Sequence, residues 1–304
     1  MLWKVKLAVK ILSGKIAPLK FILTKIGFFR HGKMDSMEYA ISVLNLHLNR
    51  VWDPHPAPAD EGHPPPEVKP PQALLPLKSG GGTCLEIGPG ESLMTMILAR
   101  AAGFERTLLV DYGWQINDDI QCYVEAANFL RENGSNVPGI FPKDRIEDVM
   151  AKYSSEYLVG GIDSMRQIQE RSIEFSFSQA VFEHIPKNQV REYLRQLKRV
   201  GKPLGVSSHV IDLKDHLGGS INQLRFPESR WETPSVYNSG IYTNRLRFSQ
   251  WLKLFEEEGL EYDVIEKKEF PALPIKRNQL SEEFKELPEQ DLLVSGFGVV
   301  FRWK

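Results

Sequence analysis

From residue 79 the chain alternates short apolar runs with longer amphipathic stretches. TCLEI (83–87), TLLVD (107–111), EYLVG (156–160), IEFSFS (173–178) and LGVSSHVI (204–211) have the length and the β-branched or aromatic content of buried strands. Between them ESLMTMILARAAG, DDIQCYVEAANFLREN and NQVREYLRQLKRV repeat apolar residues at helical spacing. Strand-helix alternation of this length predicts a parallel sheet covered by helices on both faces. The rhythm changes near the end, where the helix RFSQWLKLFEEEG is followed by two further runs, YDVIEKKEF and VSGFGVVFRW. An acidic, proline-bearing loop separates those runs with enough chain for a hairpin-like return, so an antiparallel edge is expected.

Upstream, DSMEYAISVLNLHLNRVW (35–52) places Met37, Ile41, Leu44 and Leu48 on one face, with Asp35 or Ser36 available as N-cap, and predicts a helix. Residues 53–72, DPHPAPADEGHPPPEVKPPQ, are too rich in proline to continue a helix or join a sheet centre, and read as an extended linker or wrapping loop. His55 and His63 lie there beside Asp53, Asp60 and Glu61, without the close spacing on a regular element that a metal site needs; no metal is assigned. The chain therefore divides into a basic apolar segment (1–34), a helix plus proline-rich connector (35–78) and one α/β domain (79–304).

Charge changes the picture of the first segment. Residues 1–34 carry seven lysines, Arg30 and no acid, so a chain of net charge −1 leaves −9 on the remainder. An acidic body argues against a nucleic-acid groove, and so against RNA as substrate. The basic head mixes lysine with Leu, Ile, Val, Phe and Trp3, which suits either an anionic lipid surface or a helix packed on the domain with solvated lysines. Lysine interrupts it too often for a membrane span, and it lacks a signal peptide's apolar centre. Lys10, Lys15, Lys20 and Lys25 advance by roughly 140° each on a helix and spread around it, while Gly14 and Pro18 break it. Cys84 and Cys122 form no close-spaced pair. The expectation is a reduced, cytoplasmic protein with peripheral contact at the inner membrane face through residues 1–30.

The chemistry begins at TCLEIGPGES (83–92). A triphosphate loop needs a Lys-Ser/Thr pair after its last glycine, and Gly90 is followed by Glu91 and Ser92. A dinucleotide turn needs a third glycine, where Leu93 stands, and Glu91 would set a carboxylate against the phosphates. An adenosine cofactor with a sulfonium and no phosphate meets neither objection. Gly88 and Gly90 let the backbone pass close to it, Glu86 offers an acceptor for an ammonium or an ordered water, and Asp111, closing TLLVD, can accept both ribose hydroxyls.

LEIGPGESL, LLVDYG, IEFSFSQAVFEHIP and YLRQLKRVGKPLG together resemble class I S-adenosylmethionine-dependent methyltransferases over roughly residues 80–300. The third resembles the family's fourth strand and following helix, and the fourth its R-x-L-K-P-G-G turn before strand five. Three positions depart from the family pattern: Ser92 where a third glycine is frequent, Glu174 where Asp is common, and KPLG in place of KPGG. The resemblance implies a Rossmann-like seven-stranded, mostly parallel sheet with an antiparallel last strand, and S-adenosyl-L-methionine as cofactor. By position in that fold, Asp163 is the candidate to meet the adenine amino group, or else a solvated loop acid or cap, with Met165 or Ile162 against the ring. Ser178 and Gln179 should lie beside the transferred methyl group.

The segment after strand five, SSHVIDLKDH, holds His209, Asp212, Asp215 and His216 and should lie at the rim of the acceptor pocket. A hydroxyl acceptor gains from a base. His209 is the first choice, oriented by Asp212 or Asp215, and His216 the second; the alternative is helix capping and pairing with Lys214. Glu183 and His184 are assigned to positioning and helix start, with catalysis as the alternative. YNSGIYTNRLRFSQW concentrates Tyr237, Tyr242, Asn244, Arg245 and Arg247, where such folds carry an acceptor lid, and Tyr242, Asn244 and Arg245 are assigned to a polyhydroxylated or anionic substrate. With IDLKDH this segment resembles methyltransferases of polysaccharide and glycolipid biosynthesis. The expected function is O-methylation of a sugar or lipid-linked glycan. N- or carboxyl-methylation of a small molecule, or an inactive cofactor-binding scaffold at a membrane surface, are the alternatives.

Overall fold

The computed structural model describes residues 36–52, 81–116 and 119–304, together with Trp3 and Leu7. The proline-rich connector, its histidines and most of the basic head lie outside the described residues. Seven strands form one sheet in the order β3-β2-β1-β4-β5-β7-β6. In chain order the elements are α1 (Met37–Trp52), β1 (Thr83–Ile87), α2 (Met94–Ala102), β2 (Arg106–Asp111), α3 (Gln121–Glu132), α4 (Ile146–Lys152), β3 (Ser155–Val159), α5 (Ile162–Gln167) and β4 (Ile173–Gln179). After a 3₁₀ turn (Phe182–His184) come α6 (Val190–Val200) and β5 (Gly201–Asp212). Two short helices, α7 (Glu228–Trp231) and α8 (Pro234–Tyr237), precede α9 (Phe248–Glu257) and β6 (Glu261–Glu269). The short α10 (Glu282–Lys285) and α11 (Glu289–Leu293) lead into β7 (Val294–Arg302).

The sheet is Rossmann-like and mostly parallel, as the alternation predicts. β7 alone runs antiparallel, to β5 on one side and β6 on the other. The reversed strand thus sits inside the sheet and β6 forms the edge, a refinement of the expected antiparallel edge. Each face has its own apolar core. α1, α2 and α3 cover one with Leu44, Ile97, Phe104, Phe175 and Phe177, while α6 and α9 cover the other with Ile87, Leu194, Trp251, Phe255 and Phe301.

Helix α1 starts where the polar-apolar pattern places it, with the Ser36 hydroxyl accepting from the Tyr39 amide at 3.4 Å. It also carries two buried polar residues into the sheet. His47 bonds Ser208 Oγ at 2.8 Å and Gln179 Oε1 at 3.1 Å, and Arg50 pairs with Glu266 on β6. At the start of β5, Leu204 stands where the resembled turn has glycine and takes a left-handed φ of +68°. That conformation costs a leucine about 1 to 2 kcal/mol. Among the described residues no helix is long and apolar enough to cross a membrane.

Candidate functional site

Strand order reverses between β1 and β4, so the crevice that opens at the carboxyl ends of these strands is the binding position of an open α/β sheet. β1 leaves it through Gly88-Pro89-Gly90. Gly88 has φ +74°, and a Cβ there would stand 2.5 Å from Val181 Cγ2, so the exit loop of β4 lies directly on the turn. Gly90 has φ +65°, and a Cβ there would meet nothing within 4 Å.

Asp111 closes the other side. Its Oδ2 accepts from the Gly90 amide at 3.2 Å and its Oδ1 from the Tyr112 amide at 2.7 Å, so the carboxylate is latched to the turn. Burial raises its pKa above the ordinary aspartate value, and those amides oppose the rise. The amides of Gly160 and Gly161, just past β3, donate to its carbonyl and fix the strand end. Glu86 is 2% exposed, and its Oε2 has no hydrogen-bond partner. Burial pushes its carboxyl up to about 8, with the charge of Asp111 adding to the shift. Glu86, Gly88, Gly90 and Asp111 are therefore brought together.

Beside them stand aromatic residues that the motif reading passed over. Tyr112 is 81% exposed and Trp114 half-exposed, with the Trp114 ring edge-on to Tyr157 at 5.4 Å. The Tyr157 hydroxyl lies 3.3 Å from the carbonyls of both Gly90 and Gly113, tying β3 to the turn. The visible signal was the sequence DYGW itself, two aromatic residues directly behind the strand-end acid.

Asp163 sits on the turn that bonds the Asp111 carbonyl, and Ser178 is turned into the sheet. Asp163 lies in the first turn of α5 with an exposed side chain paired to Arg166 at 2.7 Å, and Met165 is buried in the core. Ser178 is fully buried, its hydroxyl 2.8 Å from His209 Nδ1.

His209 is corrected. It is 1% exposed, its Nε2 lies 2.6 Å from Ser207 Oγ, and it packs edge-on against Phe182. Burial pulls its pKa down to about 3. Both ring nitrogens are committed, so it holds the sheet together and cannot take a proton from an acceptor. Neither proposed partner orients it. Asp212 accepts from the Lys214 amide at 2.8 Å and pairs with its ammonium, while Asp215 is buried and accepts from the amides of Leu217 and Asn222.

The three residues assigned to substrate are corrected for the same kind of reason. The Tyr242 hydroxyl donates to Glu232 and accepts from the Lys187 amide. Asn244 Nδ2 donates to the carbonyls of Phe182 and Ile185 at 2.8 and 3.1 Å, and its amide donates to Glu183 O at 2.7 Å. Arg245 donates to Phe226 O and Glu283, and lies over the Phe284 ring. All three are buried, Tyr242 and Asn244 tying the segment between β5 and α9 to the chain after β4 and Arg245 tying it to Phe226 and Glu283, with Arg245 Nε left without a partner.

What remains at the mouths of β4 and β5 is a different set. Glu183 is 1% exposed, and neither carboxyl oxygen has a hydrogen-bond partner. His184 Nδ1 lies 2.8 Å from the Tyr242 carbonyl, and its ring lies tilted against His216 with centroids 4.7 Å apart. His216 is half-buried against His184, and Asp212 pairs with Lys214 just before it in the chain. Among the described residues no group of three or more His, Cys, Asp or Glu side chains is arranged to hold a metal ion.

No protein-family model matches the chain, and no curated protein matches it. Among solved structures, a SAM-dependent methyltransferase from Methanosarcina mazei is similar at TM-score 0.44 and 16% identity, over 74% of this chain and 93% of its own. The YcgJ protein of Bacillus subtilis gives 0.40 and 18%, over 76% and 95%. A Haemonchus contortus phosphoethanolamine N-methyltransferase, in complex with phosphomonomethylethanolamine and S-adenosylhomocysteine, gives 0.40 and 15%, over 74% and 49%.

Proposed function

We propose that this chain is an S-adenosylmethionine-dependent methyltransferase acting on an oxygen acceptor, a hydroxyl of a sugar or lipid-linked glycan. One observation carries the cofactor: a buried Glu86 oxygen without a partner, an open Gly90 cradle and the Asp111 carboxylate converge at one strand mouth. These residues fit the group. Glu86 gains an ammonium, directly or through water, Asp111 exchanges the Gly90 amide for ribose hydroxyls, and Tyr112 and Trp114 offer ring faces to the adenine. Glu91 beside the turn keeps phosphate away.

When bound, the cofactor supplies a methyl carbon on a positively charged sulfur, and the chain contributes mainly alignment. Val181, packed on Gly88, brings the exit of β4 against the cofactor turn. Proton-accepting groups at the next two strand mouths, Glu183, His184 and His216, favour a hydroxyl over an acceptor that needs no base. The glycan assignment rests on the resemblance of IDLKDH and the following segment. Peripheral membrane contact through residues 1–30 belongs to the same reading, although Trp3 and Leu7 pack on the cluster that contains Trp231 and Tyr242, as a head packed on the domain would.

Calorimetry with S-adenosylmethionine tests the cofactor. Asp111→Ala removes two ribose contacts and should weaken binding by about ten- to a hundredfold while the chain stays folded. Unchanged affinity sinks the assignment. Formation of S-adenosylhomocysteine with sugar and lipid-linked glycan hydroxyls then separates enzyme from scaffold, since binding without turnover across the panel marks the scaffold.

A further inference from the structure

We propose that Glu183 is the proton acceptor of the transfer site, taking the hydroxyl proton of the acceptor as the methyl group arrives. This rests on the cofactor reading above and deepens it. Glu183 lies on the 3₁₀ turn that carries β4 past its carboxyl end, two residues after Val181, the side chain seated on Gly88. Asn244 pins that turn through three hydrogen bonds, one to the carbonyl of Glu183 itself, so the residue is held in place by its backbone. None of these three bonds uses its carboxyl. A buried acid with both oxygens unpartnered costs stability unless a ligand satisfies it. His209 is the contrast: equally buried, but with both nitrogens occupied.

The charges around Glu183 complete the argument. Burial moves its carboxyl well above the usual range and the charge of Asp212 at the end of β5 adds to the rise, while the nearby amides of Glu183 and Asp212 and the charge of Lys214 oppose it. His184 on its own turn, tilted against His216, and the uncharged Asn244 from the following segment face the same turn. In the unliganded protein its surroundings therefore favour the protonated carboxyl. A sulfonium placed at the neighbouring mouth favours the carboxylate. Glu183 then receives the proton from the acceptor oxygen while that oxygen bonds to the methyl carbon. The sulfur-methyl bond breaks with its electron pair left on sulfur. A sulfonium and a carboxylate become a thioether and a carboxylic acid, so the buried charge pair disappears as the product forms.

The test needs no identified acceptor. Calorimetric titration at pH 7–8 in two buffers of different ionisation enthalpy measures protons released on binding. S-Adenosylmethionine and S-adenosylhomocysteine share the amino-acid end that faces Glu86, so its contribution cancels between them; only the first carries the sulfonium. The wild-type protein should release up to about one more proton with S-adenosylmethionine than with S-adenosylhomocysteine. Glu183→Gln should abolish that difference while binding S-adenosylhomocysteine as before. Equal release by the wild-type protein, or a difference that survives in Glu183→Gln, overturns the role of Glu183 and leaves the cofactor standing. Failure of both ligands to bind overturns the cofactor reading and this inference with it.

Discussion

Gly88 and Gly90 have the same backbone handedness and different reasons to be glycine, which makes them a paired experiment. At Gly88 a methyl group adds a collision with Val181 to the left-handed strain, and Gly88→Ala should lower unfolding free energy by about 2 to 4 kcal/mol. At Gly90 only the strain applies, about 1 to 2 kcal/mol, because a Cβ there points into open space. Gly90→Ala should therefore unfold nearly like the parent in urea yet lose most of its cofactor affinity. Equal stability losses at the two sites would contradict the geometry. These glycines, Glu86 and Asp111 were legible because their spacing encodes a turn between two strand ends. His209 was not, because strand parity hides burial. Paired with Ser178 on one face of the sheet, it satisfies both nitrogens from serines that look, in sequence, like polar residues near a rim.

The elements were legible where periodicity governs them and opaque where main-chain carbonyls do. Every strand of the parallel half follows from an apolar run. The segment between β5 and α9 has no such period, and its polar and aromatic side chains read as a substrate surface. Instead they tie loops to one another. Asn244 is the clearest case, with its amide group bridging two carbonyls and its side-chain oxygen accepting from Leu246. Asn244→Ala strands those buried groups and should cost about 2 to 3 kcal/mol in chemical denaturation. The Gly90–Asp111 end makes no contact with it, so affinity for S-adenosylhomocysteine should change by less than about threefold. A large loss of affinity with normal stability would restore Asn244 as a ligand residue. Helix α1 gives the complementary lesson. Its apolar stripe is readable, whereas the insertion of His47 between Ser208 and Gln179 depends on which sheet face it crosses.

At the scale of the whole molecule, buried acids and buried histidines set opposite limits on stability. Glu86 and Glu183 hold protons in the folded state above their ordinary value of 4.5, Glu86 up to about 8. Above pH 4.5 the unfolded chain ionises them first, so their contribution is lost as pH rises. His209, at about 3, and His47 hold their protons less well than the ordinary 6.5. Their contribution is intact above pH 6.5 and lost as pH falls. Each group changes stability by about 1.4 kcal/mol per pH unit within its window. Between pH 4.5 and 6.5 two acids and two histidines oppose one another, leaving a plateau. Above it the two acids act unopposed. Below it the histidines do, joined by paired surface carboxylates such as Glu258 and Glu192, whose lowered values carry the same sign. Urea denaturation of the unliganded protein from pH 4 to 9 should show that plateau and a fall toward pH 8. Glu86→Gln should remove part of the alkaline arm, since its amide does not ionise. A ligand that supplies an ammonium to Glu86 should flatten that arm in the parent and not in the variant. Stability rising steadily to pH 9 would mean that the two acids are solvated, and the paired readings of Glu86 and Glu183 would fall together.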